Sequence, residues 1–231
     1  MNSKLYGTAM EALADIHDGA TVMIGGFGTA GQPVELIDAL INHGARDLTV
    51  VNNNPGNGDV GLAALLKAKR VRKMICSFPR PSDSPVFDAL YRAGEVELEL
   101  VPQGNLAERI RAAGAGIGAF YTPTGFGTQI AEGKEIRTIP GKNYVLEYPI
   151  HADFALIKAL KADRLGNLVY RMTARNFGPI MAAAAKCTIV QADAIVDAGG
   201  IDPEAVITPC IYVRRILHIP TASGRLAGLT A

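Results

Sequence analysis

The feature that most constrains this chain is a glycine-rich turn between an apolar segment and a proline. Residues 18 to 33 read Asp-Gly-Ala-Thr-Val-Met-Ile-Gly-Gly-Phe-Gly-Thr-Ala-Gly-Gln-Pro. A residue without a Cβ can adopt positive φ and lets a ligand approach the main chain closely. The turn holds four such residues, Gly25, Gly26, Gly28 and Gly31. Since Pro33 suits the first turn of a helix, the pattern predicts backbone N–H groups that bind an anion.

Composition narrows the class of partner. The chain has 231 residues, with 23 lysines and arginines against 22 aspartates and glutamates. A net charge of +1 provides no overall field for nucleic acid or for an acidic membrane surface, so neither is expected as a partner. Three widely spaced cysteines without a Cys-x-x-Cys motif argue against a disulfide framework and a metal site. No apolar run reaches the ~18 residues that span a bilayer, and we expect a cytoplasmic protein.

Strands and helices alternate along the first half of the chain. A capping box at Thr8 starts a helix that we expect to run until Gly19. Strands are predicted at 21–24, 48–51, 72–78 and 96–101, and helices at 33–43, 59–69, 106–113 and from Ser84 onward. This alternation predicts an α/β fold with an open, mostly parallel sheet flanked by helices.

The second half is richer in strands. We predict strands at 144–147, 153–160, 168–171 and 188–191, a turn at 163–167 and a helix at 178–185. No internal repeat or interdomain linker is visible. We therefore expect one domain over residues 1–220, followed by a frayed tail at 221–231.

The turn also fits a dinucleotide-binding pattern. Residues 26–31 satisfy Gly-x-Gly-x-x-Gly after a strand, as in nicotinamide-dependent oxidoreductases. That class needs a carboxylate at the end of the second strand, where this chain has Asn52, Asn53 and Asn54. A phosphate-binding loop of the Gly-x-x-x-x-Gly-Lys type is absent from the sequence. An oxidoreductase, a module that binds a metabolite without catalysis and a purely structural turn all remain open on this pattern alone.

A longer pattern resembles one family. It combines Asp18-Gly19, Gly25-Gly26-Phe27, Gly31 and Pro33 at fixed spacing. Further segments agree with it, namely Gln103–Arg109, Tyr121–Thr128, Asp153–Ala159 and Ala174–Phe177. Over residues 5 to 217 the chain resembles the α (A) subunit of the family I CoA-transferases that act on 3-keto acids. The resemblance implies the open sheet shared by CoA-transferases and sugar isomerases.

The resemblance also implies a reaction. It implies transfer of CoA from succinyl-CoA to a 3-oxo acid, with 3-oxoadipate favoured and acetate or acetoacetate as the alternative acceptor. The nucleophile in this family is the glutamate of a Ser-Glu-Asn-Gly motif on a β (B) subunit, and this chain lacks that motif. The chain is therefore expected to carry no catalytic nucleophile and to work in an α2β2 heterotetramer. Glu132, which follows a glycine-rich run, is interpreted as structural.

The site residues follow from matching positions. The resemblance implies that residues 25–31 bind CoA, which is a substrate here rather than a permanent cofactor; these are Gly25, Gly26, Phe27, Gly28, Thr29, Ala30 and Gly31. Asn53 and Gln103 match positions that face the reacting groups, where neutral amide donors can stabilise an oxyanion. The alternative is that Asn53 only shapes a turn and that Gln103 only caps a helix.

Three arginines are further candidates. Arg80 follows a predicted strand on the ligand side of the sheet, and its guanidinium can bind the distal carboxylate of a dicarboxylic keto acid. An ordinary solvated arginine is the alternative. Arg171 and Arg175 are candidates for CoA phosphates or for the subunit interface, and the sequence does not separate these roles.

Overall fold

The computed structural model describes residues 3–79 and 84–220 and builds them around one mostly parallel sheet. The strands in chain order are β1 (Thr21–Ile24), β2 (Leu48–Val51), β3 (Val71–Cys76), β4 (Glu97–Leu100), β5 (Phe120–Thr122), β6 (Ile136–Ile139), β7 (Lys142–Glu147), β8 (Ala152–Asp163), β9 (Leu168–Val169), β10 (Ala185–Val196) and β11 (Arg215–His218). The helices are α1 (Ala9–Leu13), α2 (Val34–His43), α3 (Leu62–Lys67), α4 (Pro85–Arg92), α5 (Gln103–Gly114) and α6 (Gly178–Ala184).

The main sheet runs in the order β11-β10-β8-β1-β2-β3-β4, and every pair along this path is parallel. β9 pairs with β8 in antiparallel orientation. The first β-α-β connection takes the chain from β1 to β2 on one side, while β8 lies on the other side of β1. The carboxyl end of β1 is therefore a switch point, where open α/β sheets form a crevice for ligands.

Both faces of the sheet are buried. Along β1, Val22 and Ile24 belong to one apolar layer and Met23 to the opposite layer. α1, α2 and α3 contribute buried leucines to the first layer, whereas α5 and α6 contribute Leu106 and Met181 to the second. Such two-sided burial explains why the central strands are continuous apolar runs.

The sequence-based prediction of an α/β fold with a mostly parallel sheet is confirmed, and β1 and β2 have the predicted bounds. α2 begins one residue later than predicted and ends as predicted at His43, followed by Gly44 with a φ of 92°. The capping box at Thr8 is present. However, α1 ends at Leu13 rather than near Gly19. The Ile16 N–H donates to the Leu13 carbonyl at 2.9 Å and not to the Ala12 carbonyl, which accepts a hydrogen bond from Arg215 at 2.6 Å.

Several element bounds differ from the prediction. α3 begins only at Leu62, because Gly61 has a φ of 56° that a helix does not accommodate. α5 begins three residues earlier than predicted, directly after Pro102. The predicted strand at 168–171 ends at Val169, because the chain enters a 3-10 turn, Met172–Arg175. β8 and β10 are both longer than predicted, since they pair with each other over almost their whole length.

Two features were not predicted. A small antiparallel sheet has the order β5-β7-β6, and β11 forms the edge of the main sheet beside β10. The predicted turn at 163–167 is confirmed, since Asp163 Oδ1 accepts hydrogen bonds from three backbone N–H groups in it. The tail predicted at 221–231 lies outside the described residues. Within 3–79 and 84–220, no helix is both long enough and apolar enough to cross a membrane.

Candidate active site

The glycine-rich loop, residues 25–31, continues from the carboxyl end of β1. Three of its glycines have positive φ, with 125° at Gly26, 59° at Gly28 and 75° at Gly31. Gly25 does not use this freedom, because its φ is not positive and its N–H extends the β1–β8 pairing to the Leu156 carbonyl at 2.9 Å. The loop turns back on itself through reciprocal backbone hydrogen bonds between Phe27 and Ala30, of 3.0 and 3.2 Å.

One glycine is required by a close contact. A Cβ on Gly31 would lie 2.3 Å from the carbonyl oxygen of Ala174, so no larger residue fits without moving the main chain. Ala174 belongs to Ala174–Phe177, one of the segments through which the chain resembles the family. The structure therefore brings two of these motifs into contact.

At the strand end where a dinucleotide site has an acidic side chain, this chain has the amide of Asn52. Asn52 follows β2 and is buried, and its Nδ2 donates hydrogen bonds to the carbonyls of Ile24 and Gly26. The end of β2 thus holds the base of the glycine-rich loop through Asn52. This arrangement leaves no acidic group at that strand end for a ribose hydroxyl, as a nicotinamide site requires.

Asn53, the next residue, is hydrogen-bonded to Gln103. Asn53 Oδ1 accepts hydrogen bonds from Gln103 Nε2 at 2.8 Å and from Ser77 Oγ at 2.7 Å. Two donors on the carbonyl oxygen fix the orientation of the amide. The Nδ2 group of Asn53 has no acceptor among the described residues, so its N–H donors are available to a ligand.

These residues line a cavity of about 500 Å³ at the carboxyl edge of the sheet. Its described lining residues are all uncharged: Phe27, Gly28, Asn53, Asn54, Asn57, Ser77, Phe78 and Gln103. The side-chain oxygen of Asn57 is buried and has no partner among the described residues. The volume suits a small-molecule site, and the polar groups are amides and one hydroxyl.

Charged residues lie beside other parts of the loop. A second cavity is lined by Phe27, Ala30 and the 172–176 segment, including Arg175. A third, of about 250 Å³, is lined by Thr29, Gly31, Lys158, Arg171 and Asp193, among others. Arg171 and Arg175 therefore both lie against the loop, but in cavities that do not include Asn53.

Arg80 and Glu132 were also singled out in the sequence. Arg80 lies outside the described residues, although Phe78, two positions earlier, lines the 500 Å³ cavity. Glu132 is exposed next to a 3-10 turn, Gln129–Ala131, and is not among the residues that line the cavities beside the loop.

The sequence-based candidates did not include four residues that line these cavities, namely Ser77, Phe78, Asn57 and Asn176. Ser77 and Phe78 directly follow β3, so the rule that ligands bind beyond the carboxyl ends of parallel strands offered a signal for them.

In residues 3–79 and 84–220, no group of three or more His, Cys, Asp or Glu side chains could hold a metal ion.

Comparison with known proteins agrees with this geometry. The coenzyme A transferase family model matches residues 6–218. The chain is 64% identical to the A subunit of 3-oxoadipate CoA-transferase from Pseudomonas putida, covering 96% of each chain. It is 62% identical to the protein of the same name from Acinetobacter baylyi, covering 98% of this chain and 100% of that one.

A solved structure shares the fold at lower identity. An acyl-CoA transferase from E. coli, solved as a thioester complex with CoA, superposes with a TM-score of 0.83 at 21% identity. The match covers 94% of this chain and 50% of that one, so this chain spans half the length of that enzyme. The family match and the high identity to full-length relatives replace the oxidoreductase interpretation, and the chain belongs to the coenzyme A transferase family.

Proposed function

We propose that this chain is the α subunit of an enzyme that moves CoA from succinyl-CoA to a 3-oxo acid, with 3-oxoadipate as the acceptor. Two relatives that are more than 60% identical over nearly the whole chain are named as the corresponding subunit of a 3-oxoadipate CoA-transferase. Acetate or acetoacetate is the alternative acceptor, and the experiment below distinguishes 3-oxoadipate from acetoacetate.

One observation carries the proposal. The buried amide of Asn53 is held by Gln103 and Ser77, with its own N–H donors left for a ligand in an uncharged cavity beside the glycine-rich loop. Fixed neutral donors of this kind stabilise the oxyanion that forms when a carboxylate attacks a thioester. One such donor contributes about 3 kcal/mol to transition-state binding in well-studied acyl-transfer sites.

The nucleophile comes from a partner β subunit in this proposal. The glutamate of its Ser-Glu-Asn-Gly motif attacks the thioester carbonyl, and the CoA thiolate leaves to give an acyl-glutamyl anhydride. The thiolate then attacks the glutamyl carbonyl and releases succinate, leaving a glutamyl-CoA thioester. The carboxylate of the 3-oxo acid reverses the same two steps, takes up CoA and frees the glutamate. No water enters and no proton is consumed overall.

Two observations support a partner at this site. The described residues that line the 500 Å³ cavity include no carboxylate, which agrees with an attacking glutamate on another chain. Three apolar side chains that line the cavities around the loop are exposed: Phe27 by 49%, Phe78 by 56% and Met172 by 80%. Exposed apolar groups gathered around a site are typical of a surface that another chain covers. Two copies of each subunit form the α2β2 assembly that we propose.

CoA acts as a substrate that the loop 25–31 binds and releases, and the proposal includes no permanently bound cofactor. The loop offers backbone N–H donors, and Arg171 and Arg175 in the neighbouring cavities offer cations for phosphate groups or for the interface. Three free cysteines fit a reducing cytoplasm, which is where we place the enzyme.

Co-expression with a β subunit tests the proposal. The purified pair is assayed for transfer from succinyl-CoA to 3-oxoadipate and to acetoacetate, and the chain alone serves as the control. We expect transfer by the pair with a higher kcat/KM for 3-oxoadipate, and no transfer by the chain alone. A higher kcat/KM for acetoacetate would make acetoacetate the acceptor in place of 3-oxoadipate. Absence of transfer to either acid would overturn the proposed function.

A further inference from the structure

We propose that Asn176 is a positioning residue that acts through the glycine-rich loop, which it holds in its ligand-binding shape. The inference rests on the proposed function, because the ligand in question is CoA. Asn176 lies in the segment that packs under the loop, about 150 residues away from it in the sequence. The sequence alone gave it no role.

All four hydrogen-bonding positions of the Asn176 side chain are used inside the protein. Its Oδ1 accepts hydrogen bonds from the N–H groups of Gly26 at 3.1 Å and Phe177 at 2.7 Å. Its Nδ2 donates hydrogen bonds to the carbonyls of Ala30 and Thr173, both at 2.9 Å. One amide therefore joins the two ends of the turn, Gly26 and Ala30, to the segment below it.

The hydrogen bond from Gly26 to Asn176 and the other hydrogen bonds of the loop determine which of its N–H groups remain for a ligand. The N–H groups of Gly25, Gly26, Phe27 and Ala30 all donate within the protein. Those of Gly28, Thr29 and Gly31 have no acceptor among the described residues. Gly28 lines the cavity that contains Asn53, while Thr29 and Gly31 line the one that contains Lys158 and Arg171. Of the seven loop residues expected to bind CoA, three therefore offer a backbone N–H to a ligand: Gly28, Thr29 and Gly31.

The amide is the group that this position needs. A carboxylate at 176 accepts from Gly26 and Phe177 but has no proton for the Ala30 and Thr173 carbonyls. A hydroxyl is too short to reach both ends of the turn. The charged groups that line the cavities beside this segment are Arg171, Arg175, Lys158 and Asp193, and none of them forms part of the four-bond arrangement.

Amide hydrogen exchange on the wild-type assembly with its β subunit tests the geometry directly. Without ligand, we expect slow exchange at Gly26, Phe27 and Ala30 and fast exchange at Gly28, Thr29 and Gly31. Added CoA slows the second group. Exchange at Gly26 as fast as at Gly28 would overturn the inference, because the Gly26 N–H would then be free. Absence of any CoA effect, together with absence of transfer by the wild-type assembly, would overturn the proposed function instead.

Kinetics of Asn176→Asp in the same assembly test the consequence. Because the loop donors bind CoA equally in the ground and transition states, we expect KM for succinyl-CoA to rise about tenfold while kcat changes by less than about threefold. The control is Asn143→Asp, in the β6–β7 hairpin, where Oδ1 accepts from Thr138 Oγ1 at 2.7 Å. The control is expected to keep the wild-type KM. An unchanged KM in Asn176→Asp, or an equal change in both variants, would contradict a positioning role.

Discussion

Gln103 Nε2 donates a hydrogen bond of 2.8 Å to Asn53 Oδ1, joining residues that lie 50 positions apart in the sequence. Asn53 follows β2, and Gln103 is the first residue of α5. The alternative in which Gln103 serves only to cap its helix does not account for this bond. This bond sets the direction of the Asn53 N–H donors. We therefore expect Asn53 to act on the substrate and Gln103 to act through Asn53.

The first prediction concerns these two roles. Asn53→Ala removes the oxyanion donor and is expected to lower kcat about a hundredfold or more. Gln103→Ala removes only the group that orients Asn53, so we expect a loss of about tenfold. The double variant is expected to match Asn53→Ala alone, because the effect of Gln103 passes through Asn53. Steady-state kinetics of the three variants check this, and multiplicative losses in the double variant would show that Gln103 acts independently.

The second prediction contrasts two glycines of the loop. Gly31→Ala places a methyl group against the Ala174 carbonyl and requires positive φ, so we expect a loss of about 2 kcal/mol or more in the free energy of unfolding. Gly25→Ala meets neighbours no closer than 3.5 Å and is expected to change stability by less than about 0.5 kcal/mol. Urea unfolding of both variants measures the difference. Equal losses would mean that the close contact does not constrain the loop.

The third prediction concerns the free energy of unfolding at low pH and the role of Glu99, which lies on β4 at the edge of the main sheet. Burial raises the pKa of Glu99, but hydrogen bonds from Lys73 and Arg109 outweigh it and hold the pKa below its ordinary value of 4.5. A lowered pKa stabilises the fold above the unfolded value, and that contribution is lost as pH falls through the folded pKa.

Glu99→Gln removes this contribution. The variant is expected to be less stable than the wild type at pH 6 by about 1 kcal/mol, and the gap should close as pH falls from about 5 to about 3. Thermal unfolding across this range checks it. Glu97→Gln is the control, since the Glu97–Arg72 pair is more exposed. A gap that stays constant with pH would show that ionisation of Glu99 does not contribute.

The fourth prediction keeps Arg80 as a selectivity residue. Its guanidinium is proposed to bind the distal carboxylate that 3-oxoadipate has and acetoacetate lacks. Arg80→Ala is expected to lower the ratio of kcat/KM for the two acids about tenfold or more, mainly through 3-oxoadipate. Arg92→Ala is the control, because Arg92 is an exposed residue of α4 paired with Asp88. An unchanged ratio in Arg80→Ala would remove Arg80 from the site.

The central strands could be predicted from sequence because their signals are local. β1 and β2 are short apolar runs buried on both faces and bounded by turn residues, and their bounds were predicted to the residue. The small sheet was not predicted, because β6 is mostly exposed and shows no alternation of buried and exposed positions. β11 was not predicted, because its pairing depends on β10 and on the N-terminal segment, through the Leu5–Ile216 bridge.

The features of the candidate site also differ in how far local sequence signals predict them. Asn53 and Gln103 could be proposed from the sequence because they follow predicted strands and match a family pattern. Asn176 could not be assigned a role from sequence, since its bonds to Gly26 and Ala30 depend on how the two halves of the chain pack. The backbone hydrogen bond of Gly25 could not be predicted for a related reason, because β8, a distant strand, provides its partner.

The division of labour between two subunits is tested most directly by locating the covalent intermediate. The assembly of this chain with its β subunit is incubated with succinyl-CoA, quenched in acid and analysed by intact-mass spectrometry. We predict an unmodified mass for this chain and a CoA adduct on the β subunit. A CoA adduct on this chain, at Glu132 or at any other carboxylate, would contradict the account.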